Sequence, residues 1–407
     1  MISIDNDLTY LKNNIKFITL YLTLLLLAGT IEYSFSGKVI LNSSDPHTSI
    51  HNSAPYNVSG SDTITIVAVG DLMCHSPQYQ SAKTSAGYDF SEVFSAVKPY
   101  LSSADLCFGN LETVTAGPDE NYSGYPQFNT PAAYLQGMKD AGFDVATNVN
   151  NHSLDRRFKG IERTIDSLDK VGLLHTGTYK NAEDTSQTLV VEAKGIKIAV
   201  LGYTFSTNGI PLPVGKEFCV NMIDSGRMKR DVERAQKTGA DKIAVFIHWG
   251  NEYERYPNNY QKKYANYLSE LGVDLIFGSH PHVLQPTEII SKNNKPTFVI
   301  YSMGNFVSGQ RKPFTDYGVI IRMQLIKDRS TGITKTGKID FIPTYVSTQK
   351  GGFKILPVAD AINAYDKNLT DHLSYSPGDI SRLKAIWKEA TDHLTNKETN
   401  IFPHTQQ

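Results

Sequence analysis

A layered α/β fold is predicted for this chain, and three observations predict it. From residue 62 onward, short β-branched runs alternate with stretches of helical apolar spacing. Nearly every such run stops at Gly, Asn, Asp or His, as strands do where they hand over to loops at the ligand-bearing edge of an α/β sheet. The 407 residues, 40% hydrophobic and 10% aromatic, supply a full core for one large domain or two modest ones.

The elements follow in order. Thr63, Ile64, Thr65, Ile66, Val67, Ala68 and Val69 form a strand that stops at Gly70-Asp71. Residues 90–101 have helical spacing, and the strand 104–108 stops at Gly109-Asn110. Pro131 opens a helix reaching about Ala141, and the strand 143–147 stops at Asn148. Residues 157–171 read as an amphipathic helix with Ile161, Ile165 and Leu168 on one side. A hairpin over 189–201 turns at Lys194-Gly195, and 224–239 is a charged surface helix. The buried strand 242–247 ends at His248, and 259–271 is helical. Strand 273–277 ends at Gly278-Ser279-His280, and strand 297–301 ends at Met303-Gly304-Asn305. Longer alternating strands lie near 318–326 and 337–346, and a helix over 380–394 closes the chain. Ile380, Leu383, Ile386 and Trp387 share one face of that helix, which is expected to pack on the parent domain.

The N-terminus is different. Residues 17–31 are an apolar run preceded by Lys12 and Lys16, close to the roughly 20 residues a membrane span needs. A signal anchor is the expectation, with the charges before the run favouring a cytoplasmic N-terminus and an exported body. A cleaved signal peptide with Ala28-Gly29-Thr30 as its small-residue site is the alternative, and a buried core helix the bland one. Residues 34–61, rich in Ser, Asn, Pro and His, read as a flexible tether. The domains expected are therefore a membrane segment at 1–33, a linker at 34–61, the main domain at 62–350 and a mostly helical extension at 351–407.

Some classes are excluded. With 40 Lys+Arg against 41 Asp+Glu, the chain lacks the basic excess of a dedicated nucleic-acid binder. Cys74, Cys107 and Cys219 are too scattered for a disulfide scaffold or a thiolate zinc site. The stretch from Gly209 to Lys216 has the wrong spacing for a phosphate loop, and no Ser sits in a nucleophile elbow.

Asp71, Asn110 with Glu112, Asn151-His152, His248, and His280 with His282 each lie at or just beyond a strand's carboxyl end. Singly, each has a bland reading: a structural histidine, an Asn turn, an Asp cap. Together, carboxylate, amide and imidazole delivered by separate strand ends point to a divalent metal centre of Zn, Mn or Fe. In His280-Pro281-His282 a stiff loop holds two imidazoles on one wall.

Six motifs occur in order: Val69-Gly70-Asp71-Leu72-Met73, Gly109-Asn110-Leu111-Glu112-Thr113, Asn150-Asn151-His152-Ser153-Leu154-Asp155, His248-Trp249-Gly250-Asn251-Glu252-Tyr253, Gly278-Ser279-His280-Pro281-His282, and Tyr301-Ser302-Met303-Gly304-Asn305-Phe306. Across roughly residues 62–310 they resemble the CapA-type poly-γ-glutamate capsule synthesis proteins, a branch of the calcineurin-like metallophosphoesterases. The resemblance implies a four-layer α/β/β/α sandwich of the metallophosphoesterase type, with an N-terminal membrane segment. It also implies one or two divalent ions held by Asp71, Glu112, Asn151, His248, His280 and His282. Glu112 would occupy the bridging position, His152 would act on the substrate as general acid, and Asn110 and Glu252 would lie on the substrate side. Met73 stands where that superfamily has a histidine, and His75 follows two residues later. That departure weakens one metal position.

The function implied is a membrane-tethered, extracytoplasmic role in poly-γ-glutamate capsule synthesis or export. Capsule synthase or ligase subunits and an anionic polymer would be the partners, and nucleic acid would not. The alternative is a metal-dependent phosphoesterase that uses metal-activated water on an envelope substrate. A third reading keeps the fold with degenerate ligands.

Overall fold

In the computed structural model, residues 60–367, 375–395 and 401–404 are described. The apolar run 17–31 and the expected linker as far as residue 59 lie outside them, whereas Ser61, expected in the linker, opens the first strand. Among the described residues no helix is long and apolar enough to cross a membrane.

Strand β1 (Ser61–Leu72) carries the organising alternation: Ile64, Ile66 and Ala68 enter one core while Val67 and Val69 enter another. After a small hairpin of β2 (Lys83–Thr84) and β3 (Gly87–Tyr88) come β4 (Leu106–Leu111), β5 (Val145–Thr147) and β6 (Leu174–Thr176). Next are β7 (Leu189–Ala193), β8 (Ile196–Thr204), β9 (Lys242–His248) and β10 (Leu275–Ser279). The hairpin β11 (Leu284–Lys292) and β12 (Lys295–Met303) follows, then β13 (Asn305–Val307), β14 (Tyr317–Asp328) and β15 (Thr334–Ser347). Finally, β16 (Lys354–Pro357) and β17 (Ile401–Pro403) end the series.

Two sheets result. The first runs β16-β15-β14-β1-β4-β5-β6, with β13 added to β1 and β17 to β15; the second runs β11-β12-β10-β9-β8-β7. Strands β1, β4, β5 and β6 are parallel, as are β8, β9, β10 and β12. Ile66, Ala68 and Phe108 of the first sheet share a core with Ile198, Phe246 and Phe277 of the second. On the far side of the first sheet, Val67, Val69 and Cys107 pack with Phe94, Leu101 and Leu135 from the helices Ser91–Phe94, Lys98–Ser102 and Ala133–Ala141. On the far side of the second, Val245 and Ile276 pack with Val232 and Leu268 from Ser225–Lys237 and Asn259–Glu270. That is an α/β/β/α sandwich, and each fully buried aliphatic side chain contributes about 1.5–3 kcal/mol to it.

Three local outcomes differ from the sequence expectation. The helix expected over 90–101 is two short ones, the second starting at Lys98 with Pro99 in its first turn, where a missing N–H costs nothing. Strand β11 is additional: Pro286 obscures its pattern, yet β11 is the outermost strand of its sheet, where proline is tolerated. Beyond residue 350, β16 and β17 join the first sheet, so this stretch completes the sandwich. The helix Pro377–Leu394, opened by a Ser376–Asp379 capping box, buries Ile380, Leu383, Ile386 and Leu394 in the inter-sheet core and packs along β11 and β15.

The parallel strands of both sheets end on one rim. At that rim β1 shifts register between Val69 and Asp71, and a Cβ on Gly70 would lie 2.0 Å from the Gly304 carbonyl oxygen. Only glycine permits the approach, which also lets the Asp71 N–H donate to that same oxygen at 3.0 Å.

Candidate metal centre

Asp71 is the last residue but one of β1, Asn110 lies on β4, Glu112 follows β4 by one residue, and His248 ends β9. His280 and His282 sit in the loop after β10, both with positive φ (96° and 59°), a conformation held by the surrounding structure. All six are buried to 4% exposure or less. The backbone of Glu112 is pinned by its N–H donating to the Leu72 carbonyl at 3.0 Å.

The side chains converge. His282 Nδ1 lies 2.9 Å from Asp71 Oδ2 and its Nε2 lies 3.7 Å from Glu112 Oε1. His248 Nε2 lies 3.6 Å from the same Glu112 oxygen, 2.9 Å from Asn151 Oδ1 and 3.1 Å from His280 Nδ1. Asn110 stands between, its amide donating to Asp71 Oδ1 at 2.9 Å and lying 3.4 Å from Glu112 Oε2. Two overlapping sets of potential ligands arise: Glu112, His280 and His282, and Asp71, Glu112 and His248.

The electrostatics expose what this arrangement lacks. Glu112 Oε1 is buried with no hydrogen-bond partner. Burial first, then the neighbouring Asp71 and Glu252 carboxylates, push the Glu112 carboxyl well above its usual range. Burial, followed by the other imidazoles, holds His248 well below the usual histidine range and His280 down to about 3. The His248 and His280 imidazoles, the Asn151 amide oxygen and the one unpartnered Glu112 oxygen therefore face one another, electron-rich atoms sharing one space. A divalent cation satisfies all of them at once, so the donor set fits a metal, and its all-oxygen-and-imidazole chemistry suits Zn, Mn or Fe.

Beside this cluster His152 is 3% exposed, with its Nδ1 2.8 Å from Asp155 Oδ2. The Asp155 oxygen also accepts the Phe128 N–H at 2.7 Å, which fixes the carboxylate. With Nδ1–H donated to Asp155, the ring presents Nε2 as its free nitrogen. Phe128 packs edge-on against the ring at 4.7 Å.

Comparison with known proteins then decides the family. Residues 65–310 match the model described as "Bacterial capsule synthesis protein PGA_cap". The chain belongs to the PGA_cap family. Among its relatives, the capsule biosynthesis protein CapA of Bacillus anthracis is 28% identical over 353 residues, 84% of this chain and 80% of that one. The PGA biosynthesis protein CapA of Bacillus subtilis (strain 168) is 29% identical over 289 residues, 69% of this chain and 72% of that one. A solved structure, the NAD nucleotidase of Haemophilus influenzae, is similar at a TM-score of 0.46 and 13% identity, covering 83% of this chain and 69% of that one.

In this PGA_cap member, Asp71, Asn110, Glu112, Asn151, His248, His280 and His282 come together, and His152 borders them. Glu252 does not join: it is exposed in the loop after β9 and acts on the cluster through its charge. Met73 is buried, its sulfur 3.7 Å from the Ser308 hydroxyl, so it fills rather than coordinates. His75 is absent from both ligand sets; its Nδ1 accepts the Gly309 N–H at 3.1 Å and its ring packs on Phe128. Three supporting residues were not singled out from the sequence. Ser279 Oγ lies 2.9 Å from His248 Nδ1, Asn305 Oδ1 lies 3.1 Å from His282 Nδ1, and Asn208 Oδ1 accepts the Asn151 amide at 3.1 Å. Each orients a ligand. Asn305 and Ser279 lie within quoted motifs, which was the available signal; Asn208 lies in a loop with none.

Proposed function

We propose that this chain is an extracytoplasmic, membrane-tethered component of poly-γ-glutamate capsule synthesis or export, and that it works through a divalent-metal centre. Family membership supports the capsule role, and the apolar run 17–31 preceded by Lys12 and Lys16 supports the tether. The observation that carries the metal centre is the unpartnered, fully buried Glu112 oxygen among imidazoles. Glu112, His280 and His282 would hold one ion, and Asp71, Glu112 and His248 another, with the Asn151 amide oxygen beside His248. Bound there, a divalent cation supplies Lewis-acid polarisation and neutralises oxyanions. Asn110 holds the Asp71 carboxylate in position, and the burial of the cluster excludes water that would compete for it.

A second reading, metal-dependent hydrolysis of a phosphoester in the envelope, is favoured by the His152–Asp155 pair. Asp155 orients the imidazole through Nδ1, which leaves Nε2 as the atom facing a leaving oxygen for proton transfer. Incubating manganese-loaded protein with generic phosphomono- and phosphodiesters separates the readings. Turnover abolished by His152→Ala at unchanged metal content supports hydrolysis. A full metal load without turnover supports the accessory role, and absence of metal removes both.

A further inference from the structure

The loop after β13 carries two cations that the metal centre does not use. Arg311 and Lys312 are exposed, and among the described residues neither forms an ion pair with a carboxylate. They line a cleft of about 430 Å³ whose acids, Asp316 and Glu389, are already paired with Arg382 at 2.7 and 3.4 Å. Arg311 Nη1 also donates to the Ser308 and Gln310 carbonyls, and Arg255 stacks on Phe314 of the cleft at 4.3 Å, so among the described residues the cations here without an acidic partner are Arg311, Lys312 and Arg255, while Glu252 and Glu254 are the exposed acids of the neighbouring loop.

This loop is fastened to the rim of the metal centre at three points. Gln310 Oε1 accepts from the amide of Asn305, whose oxygen contacts His282. Gly309 donates its N–H to His75. Lys312 Nζ lies 3.8 Å above the Tyr253 ring, whose own ring is 6.3 Å from His282 and whose N–H donates to the Pro281 carbonyl between the two ligand histidines. Tyr253 has φ of 67°, a backbone conformation that these contacts hold. Two exposed cations are therefore held at a fixed offset from a buried cluster suited to dications.

We propose that Arg311 and Lys312 form an anion subsite beside the metal centre, binding a second carboxylate or phosphate of a substrate whose first oxyanion enters the centre. The substrate class is then a molecule with repeated oxyanions rather than a single one, which deepens the metal-centre reading and rests on it for the first contact. Arg311 contributes the guanidinium donors that Ser308 and Gln310 do not take, and Lys312 a point charge, so the subsite suits either oxyanion.

The test uses the full chain, manganese-loaded, with three probes: a γ-linked glutamate oligomer, inorganic tripolyphosphate and inorganic phosphate. Arg311→Gln with Lys312→Gln is compared with wild type and with Lys335→Gln, an exposed lysine at the opposite end of β15. The expected result is that at least one multivalent anion binds wild type and loses roughly tenfold or more in the double variant, with a shallower salt dependence. Inorganic phosphate should bind both proteins within about twofold, and Lys335→Gln should match wild type. Loss of only the glutamate oligomer identifies a carboxylate polymer, and loss of only tripolyphosphate identifies a phosphate one. Equal multivalent binding by wild type and double variant, an equal loss for inorganic phosphate, or no multivalent binding to wild type overturns the subsite. Metal content measured on the same samples separates the two claims. Loop-dependent binding by protein that takes up no metal refutes the centre and keeps the subsite, whereas a loaded protein without loop dependence does the reverse.

Discussion

Glu112→Gln is expected to shift stability in opposite directions with and without metal. Without metal, Glu112 Oε1 is buried and unpartnered, 3.6 Å and 3.7 Å from two imidazole nitrogens, and it sits beside Asp71. A glutamine amide there carries no charge and can donate to His282 Nε2, whose Nδ1 faces the Asp71 carboxylate. Relieving one unsatisfied buried group is worth about 1–3 kcal/mol. With metal at about 100 times its dissociation constant, the wild type gains about 2.7 kcal/mol from binding. At about 2.1 cal/mol/K of unfolding entropy per residue, a domain of this size shifts by roughly 1.5 °C per kcal/mol, so that is a rise of about 4 °C. The variant, lacking the carboxylate common to both ligand sets, should forgo most of it. Thermal melts of both proteins in chelator and in manganese measure the two shifts. The expected pattern is a variant that melts higher than wild type in chelator and lower in manganese. A variant that melts lower in chelator and keeps the whole manganese shift would refute the reasoning.

Three further outcomes are expected. His152→Ala should leave metal content unchanged and lower any phosphoester turnover by about 10² or more, while Asp155→Asn should fall between it and wild type in steady-state rates. Gly70→Ala should cost about 1–3 kcal/mol or more in denaturant melts, because its methyl would meet the Gly304 carbonyl oxygen at 2.0 Å and backbone must move. The thiols should be inert to a disulfide reagent at pH 8 until the protein unfolds: all three are buried, and burial pushes Cys74 to about 12 and Cys219 to about 11.

Much of this was legible from residue order alone, because local signals agreed with the fold. The helix Arg157–Val171 and the Leu189–Thr204 hairpin, turning at Lys194-Gly195, are where apolar period and turn chemistry put them. The ligand cluster was legible for a related reason: parallel strands end on one rim, so polar residues closing separate strands are brought together whatever their distance in sequence. What was not legible depends on tertiary contact. Asn208 meets Asn151 from 57 residues away, on a loop without pattern. Strand β11 was masked by Pro286, whose tolerance depends on the strand being outermost. The role of β16 and β17 could not be seen because strands of four and three residues carry too little pattern to assign before their partner β15 is known.

The central claim is that folding builds a cation site from Glu112 and the imidazoles around it. Its most direct measurement is elemental analysis of the purified chain, wild type against a His248→Ala, His280→Ala variant shown by melting to be folded. About one or two equivalents of a divalent transition metal in the wild type, falling to a small fraction in the variant, is the predicted result. Wild-type protein that stays free of metal after equilibration with manganese, zinc and iron would contradict it.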